Sequence, residues 1–333
     1  MTGRLATAIL VLALLFFASS VFVPFFFSLL LIALLWPVQA TLQRIMPKLV
    51  ALLVTLSLMV LVILTVGSMV IWGFGRLAQW LFLNAGRFQA IYVDWTVWLE
   101  EHGIAIVGPI ADRFNVTWLV GLLQTVAFRM NSMTGFAVLV FIFVMLGLLE
   151  VEDFNARLRM PLAQPLGEKI LRANKDIAGK LRRFMVVRSA ASVLTGLVVW
   201  LFAFAAGLEL AAAWGAIAFA LNYIPFIGPL IATVFPTLFA IAQFESWQMA
   251  AFVFVCLNLI QFVIGSYLEP LLTGASLAIS PFAVIFAVFF WSFMWGLSGA
   301  FIGVPILIAF IAYCQQERSS QWIAVILSGR SPS

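Results

Sequence analysis

The sequence predicts an all-α polytopic membrane protein: about eight membrane-embedded helical segments, two of them broken in mid-run, together with a helical hydrophilic insert. Three observations carry that prediction. The 333 residues are 65% hydrophobic and only 9% charged, with a mean hydropathy of +1.15, whereas soluble domains carry roughly a quarter charged residues. Apolar runs long enough to cross a bilayer recur along the chain, separated by short charged turns. Two further apolar runs are too long for one span, and prolines and glycines interrupt each near its centre.

Residues 1–75 read as amino-terminal transmembrane helices. An apolar run over 5–23 follows Arg4 and, at roughly 20 residues, is about long enough to span. It reads as an anchor rather than a signal peptide ending at Ala18-Ser19-Ser20, because another apolar segment follows directly after Pro24. Residues 25–43 make the second span, whose core Trp36-Pro37 kinks or ends; Arg44 and Lys48 mark a turn, and a third run covers 49–75. Residues 76–131 differ in composition. Arg76, Arg87, Arg113 and Arg129 are balanced there by Asp94, Glu100, Glu101 and Asp112, while Leu77, Leu81, Phe88, Ile91, Trp95 and Trp98 recur at helical spacing. The pattern predicts amphipathic helices at the membrane surface or in a small extracytoplasmic insert, with oligomer contact a better reading than catalysis.

Residues 132–188 combine a fourth span, 132–149, with a basic segment in which nine Lys and Arg stand against five Asp and Glu between Glu150 and Arg188. Placing Arg4, Arg44, Lys48, Arg318 and Arg330 on the same side puts fourteen of the eighteen basic residues there. The positive-inside rule assigns that side, and both chain termini, to the cytoplasm. The net charge of +5 thus reflects topology, not nucleic-acid binding. The basic segment either touches anionic lipid headgroups or is a solvated helical hairpin that sets topology.

Residues 189–313 form the predicted core. The span 189–207 carries Ser189, Ser192, Thr195 and Gly196, small residues suited to close helix contact. Next comes Asn222-Tyr-Ile-Pro-Phe-Ile-Gly-Pro229, in the middle of the run 208–244. As one helix that run would measure about 55 Å, against a hydrocarbon core of about 30 Å. It therefore folds either as two spans or as a re-entrant hairpin, with the short arms favouring the hairpin. Pro225, Gly228 and Pro229 break the helix, and Asn222 and Tyr223 bring polar groups to a depth where lipid cannot satisfy them. Irregular backbone at that depth persists only inside protein or beside a wet cavity, and wet breaks of this kind hold substrate in secondary transporters. A span over 247–267 ends at Glu269-Pro270, and a second overlong run, 282–313, is interrupted by Gly296, Gly299, Gly303 and Pro305. A span followed by a broken run thus occurs twice. As hairpins the two runs would face opposite ways, the geometry of inverted repeats. Residues 314–333 form a short amphipathic tail on the inner surface.

The candidate pathway residues are Asn222, Tyr223, Pro225, Gly228, Pro229, Glu269 and Pro270, with Asn258, Gln261 and Ser298 as secondary candidates. Asn222 offers donor and acceptor to a solute, or caps carbonyls freed by Pro225. Glu269 supplies a carboxylate for a gate, or lies at the cytoplasmic surface. Asn258 and Gln261 line the path or bond a neighbouring helix, and Glu209 and Glu245 sit at interfacial ends of the first broken run. Gly296-Leu-Ser298-Gly299 is similar to the Gly-x-Ser-Gly of rhomboid-type intramembrane proteases. A serine nucleophile needs a histidine base, and the single histidine, His102, lies in the insert, so Ser298 reads as a packing residue. His102 beside two glutamates reads as a solvated helix end, and Cys256 and Cys314 as small apolar residues without ligand partners at metal spacing. No catalytic residue, metal site or cofactor is predicted, and no nucleotide-binding motif occurs.

The Asn222 to Pro229 stretch, the Glu269-Pro270…Gly274…Pro281 segment and the closing Trp295-Gly-Leu-Ser-Gly-Ala-Phe-Ile-Gly-Val-Pro305 together resemble the AI-2E (autoinducer-2 exporter) family of bacterial inner-membrane proteins. The similarity covers nearly the whole chain, with Ser266 where that family often has Asn. It implies a homo-oligomeric secondary transporter or exporter of small polar solutes such as autoinducer-2, embedded in the inner membrane. Sodium (cation)/proton antiport, known for some members, is the alternative it implies. A non-transporting membrane scaffold that uses the insert and basic loop for partners is the third reading of the chain.

Overall fold

A computed structural model describes residues 2–84, 86–87, 116–273, 279–317 and 319–328. Among these the chain is helical throughout, apart from turns and one isolated bridge between Ile279 and Ser328. The helices are α1 (Thr2–Phe17), α2 (Ser19–Leu42), α3 (Lys48–Leu83), α4 (Val116–Leu158), α5 (Leu166–Ala205), α6 (Ala211–Leu221), α7 (Ile227–Phe244), α8 (Trp247–Val263), α9 (Glu269–Thr273), α10 (Pro281–Gln316) and α11 (Gln321–Leu327). A 3-10 turn, Pro161–Ala163, joins α4 to α5, and a π-helical turn, Ile264–Leu268, joins α8 to α9. Seven helices among the described residues are long and apolar enough to cross a membrane. Together they form a polytopic bundle.

Local structure departs from the sequence reading at four places, one of them α4, which begins at Val116 inside the predicted insert and runs through the fourth span to Leu158. The first break falls at Ala18 rather than Pro24, and α2 runs through both Pro24 and Pro37. Pro24, the sixth residue of α2, gives up the helical bond to the Ser20 carbonyl, and Pro37 gives up the one to the Ala33 carbonyl, to which Arg182 Nη1 of α5 donates instead at 3.2 Å. Helix α3 continues past Gly73, Gly75 and Arg76 to Leu83. Two interior glycines cost about 1 kcal/mol each, but the Cβ position of Gly73 lies 3.4 Å from Ala213 and Ile217 atoms, so that face is packed on α6. The basic segment and the fifth span are one continuous helix, α5. The part of the insert between 88 and 115, with His102, lies outside the described residues.

Both broken runs fold as helical hairpins. In the first, α6 and α7 turn at 222–226 and pair antiparallel: the Trp214 and Phe239 rings lie 5.2 Å apart, and a Cβ on Gly228 would stand 1.9 Å from the Leu221 carbonyl oxygen. In the second, α10 folds on itself at Trp295 and Gly296, whose φ/ψ angles are non-helical. A Cβ on Gly299 would lie 1.8 Å from the Trp291 oxygen, and one on Gly303 2.9 Å from the Ala287 oxygen, so the arms 281–294 and 297–316 run back to back. Each hairpin has a shorter first arm and a longer second arm.

The hairpins open towards opposite ends of α5. Gln243, near the end of α7, accepts from the Glu209 N–H at 2.9 Å and donates to the Gly207 carbonyl at 2.8 Å, which closes the first hairpin at the carboxyl end of α5. The second hairpin ends beside the amino-terminal half of α5, where Lys169 pairs with Glu317 and Lys180 bonds Gln315 at 2.5 Å. Its other end is tied there by Ser280 N–H donating to the Leu327 carbonyl at 2.9 Å, while α11 packs Ala324 on Ile311 and Cys314.

Separate apolar clusters hold these parts. Leu77, Trp80, Val199, Trp214, Ile217, Phe239, Val253 and Leu257 bind the first hairpin between α3, α5 and α8. Leu30, Leu181, Val288, Ala300, Val304 and Ile308 bind the second hairpin to α2 and α5, with Ile224 and Ile227 from the tip of the first packed on them. A third cluster, Leu52, Leu56, Met59, Val140, Val144 and Leu148, joins α3 and α4 alongside α2.

Candidate functional site

Helix α5 organises the polar interior. Arg188, Ser192 and Thr195 fall at i, i+4 and i+7 on one face, and all three are buried. Small residues beside them let α6 approach closely: a Cβ on Gly215 would meet the Gly196 oxygen and the Trp200 Cβ at 2.7 Å each. The close approach sets the tip of the first hairpin against α5. Asn222, 5% exposed, donates from Nδ2 to Ser192 Oγ at 3.1 Å, and the Tyr223 hydroxyl bonds Ser189 Oγ at 3.0 Å. The Asn222 amide nitrogen thus bonds α5 rather than a carbonyl freed by Pro225.

The tip itself is irregular for identifiable reasons. Pro229 occupies the first turn of α7, where a missing N–H removes no helical bond. Phe226 takes φ 63°, ψ −51°, a conformation that costs a non-glycine residue about 1–3 kcal/mol. Gly228 leaves room for the Leu221 carbonyl. Five of the predicted residues, Asn222, Tyr223, Pro225, Gly228 and Pro229, are therefore buried or half-buried in one crease.

Glu269 reaches the same helix from a different direction. Its backbone N–H bonds Ile264 O, five residues back, which is the π register of the preceding turn. Pro270 follows and offers no N–H to the Ser266 carbonyl. The Glu269 carboxylate pairs with Arg188, whose Nη1 lies 2.6 Å from one oxygen and 2.7 Å from the other. The Arg188 side chain is 6% exposed and that of Glu269 23%. Pairing offsets the cost of taking both charges out of water. The two polar contacts therefore stand one helical turn apart on α5.

Asn258 is exposed and donates from Nδ2 to the Phe254 carbonyl of its own helix at 2.8 Å. Gln261 Nε2 is buried without a hydrogen-bond partner among the described residues. Ser298 lies half-buried just past the tip of the second hairpin. Glu209 is exposed and accepts from Trp80 Nε1, and Glu245 is exposed at the end of α7. Cys314 is buried and Cys256 half-buried, both as free thiols.

Arg188, Ser189 and Ser192 were not among the sequence candidates. The signal that finds them is their spacing on one helix, which means nothing until the crease is known to face it. The two hairpins also touch: the Tyr223 and Phe301 rings lie 5.9 Å apart.

Comparison with known proteins gives this arrangement a family. The sequence profile of the AI-2E family transporters matches residues 5–318. The chain belongs to the AI-2E transporter family. Its relatives include the AI-2 transport protein TqsA of Escherichia coli K12, 26% identical over 314 residues, which is 94% of this chain and 90% of that one. A Borreliella burgdorferi protein named only as a proposed transport protein is 30% identical over 53% of this chain and 49% of its own. Escherichia coli K12 YhhT, named in the same way, is 26% identical over 63% of this chain and 61% of its own. As an AI-2E member with seven helices suited to spanning, the protein is a multi-pass inner-membrane transporter.

Proposed function

We propose that the protein exports a small polar solute of the autoinducer-2 kind, and that the solute passes the crease formed by Asn222 to Pro229 against α5. One observation carries this reading. The tip of the first hairpin brings Asn222 and Tyr223 onto the polar face of α5 and at the same time rests on the arm of the second hairpin through Tyr223 and Phe301. From Ser192 to the carboxyl end of α5 is about 20 Å at 1.5 Å per residue, less than the roughly 30 Å core. A hairpin that closes at that end and turns at Ser192 is therefore re-entrant and ends at mid-depth. The second hairpin enters from the other side. The pair reproduces the inverted logic by which transporters expose one site alternately. The excess of basic residues from Arg157 to Arg188, with Arg4, Arg44, Lys48, Arg318 and Arg330, supports cytoplasmic termini, and the resemblance to the family supports a homo-oligomer.

The test is flux through proteoliposomes loaded with autoinducer-2. Asn222→Ala and Pro225→Ala are expected to lower flux at least about fivefold while the detergent-purified oligomer keeps its size. Unchanged flux in both variants would remove the crease from the path.

A further inference from the structure

We propose that Arg188 sets the class of solute: its guanidinium holds Glu269 through Nη1 and offers a buried Nε–H to an oxygen acceptor on the solute, which makes the path unfit for a bare cation. The proposal rests on the transport reading above and deepens it. The sequence grouped Arg188 with the solvated basic residues of the cytoplasmic segment. The structure buries it, at 5% exposure, and a buried guanidinium is costly unless its donors are used.

Those donors are used incompletely. A fork of two nitrogens normally meets the two oxygens of a carboxylate. Here one nitrogen, Nη1, meets both Glu269 oxygens. Nε is buried and has no partner among the described residues. One turn along the same face, Ser192 is taken by Asn222, and one turn further Thr195 Oγ1 is again buried without a partner among the described residues. Two unused donors thus flank the Ser192–Asn222 bond, about 10 Å apart along α5 at 1.5 Å per residue. A solute carrying several oxygens matches that spacing.

A cation would find the reverse of what it needs. The carboxylate in this column already has both oxygens at hydrogen-bond distance from Arg188. The guanidinium repels a positive ion at short range.

The experiment uses the full chain in proteoliposomes, with autoinducer-2 and sodium as separate probes. Arg188→Lys keeps a positive charge for Glu269 and removes Nε. The variant is expected to raise KM for autoinducer-2 about tenfold, the loss of one hydrogen bond from a charged donor. Vmax should stay within about twofold, and sodium flux should equal that of empty vesicles in both proteins. An unchanged KM overturns the proposal, as does sodium flux through the wild type or a matched fall in Vmax and thermal stability with no change in KM. If Arg188→Lys does not assemble, the uncharged pair Arg188→Gln/Glu269→Gln gives the same comparison, again with a raised KM expected and an unchanged KM overturning. Wild-type vesicles that carry neither probe refute the transport reading itself, an outcome distinct from all of these.

Discussion

At the scale of the residue, the Arg188–Glu269 pair stabilises the junction of α5 and α9 only while both partners are present. Removing one leaves a charge in a site with little water. Arg188→Ala is therefore expected to cost about 3–5 kcal/mol, read as a lowered Tm of the purified protein in detergent. Adding Glu269→Ala to it should recover part of that loss, and additive losses in the double variant would show that the two charges do not act as a pair. The sequence made half of this site visible. Asn222, Tyr223 and Glu269 stand out because a polar group beside a proline in an apolar run needs a reason. Their partners do not stand out. A serine in a membrane helix reads as a small packing residue, and charge alone says nothing about whether an arginine at the end of a basic run is solvated or buried. Asn258 shows the converse: in a bundle whose lipid face and core are both apolar, hydrophobic periodicity does not tell which side a polar residue faces.

At the scale of the element, each hairpin turns around one glycine on which the preceding arm sits. The Gly228 Cβ position is 1.9 Å from a carbonyl oxygen, and that of Gly299 is 1.8 Å from another. A backbone oxygen cannot move aside as the end of a long side chain can. Gly228→Ala and Gly299→Ala are therefore each expected to open their hairpin and to lower the yield of folded protein several-fold. Gly179→Ala is the control. Gly179 lies within α5 with nothing near its Cβ position, so alanine there should be neutral or add up to about 1 kcal/mol through helix propensity. Measuring monodisperse yield for the three variants side by side decides the matter, and equal yields would mean that the arms are not tightly paired. The breaks themselves were legible from length and from proline and glycine. That α2 runs through Pro24 and Pro37 while the break falls at Ala18 was not legible, because what compensates a proline can lie on a distant helix, as Arg182 does for the Ala33 carbonyl that Pro37 leaves free.

At the scale of the whole molecule, two hairpins of opposite direction meet on one helix that traverses the bundle. The tip of the first, through Tyr223, Ile224 and Ile227, packs on the second, whose own tip is tied to the amino-terminal helices by Trp295 Nε1 donating to the Leu15 carbonyl at 3.0 Å. Such a joint transmits motion: a shift of the second hairpin relative to α5 changes what the first can bond. If flux requires that shift, linking the joint covalently must stop it. With Cys256 and Cys314 replaced by serine, Tyr223→Cys and Phe301→Cys place two thiols where rings now lie 5.9 Å apart. A short bifunctional maleimide should join them within one chain. The treated double variant is expected to lose nearly all autoinducer-2 flux, while each single-cysteine variant keeps its own rate after the same treatment. That control separates the effect of the link from the effect of modifying Tyr223, which lies in the proposed path. Complete cross-linking with undiminished flux would mean that the hairpins act as one rigid unit, and the moving part would then have to be sought between that unit and the helices α2 to α4.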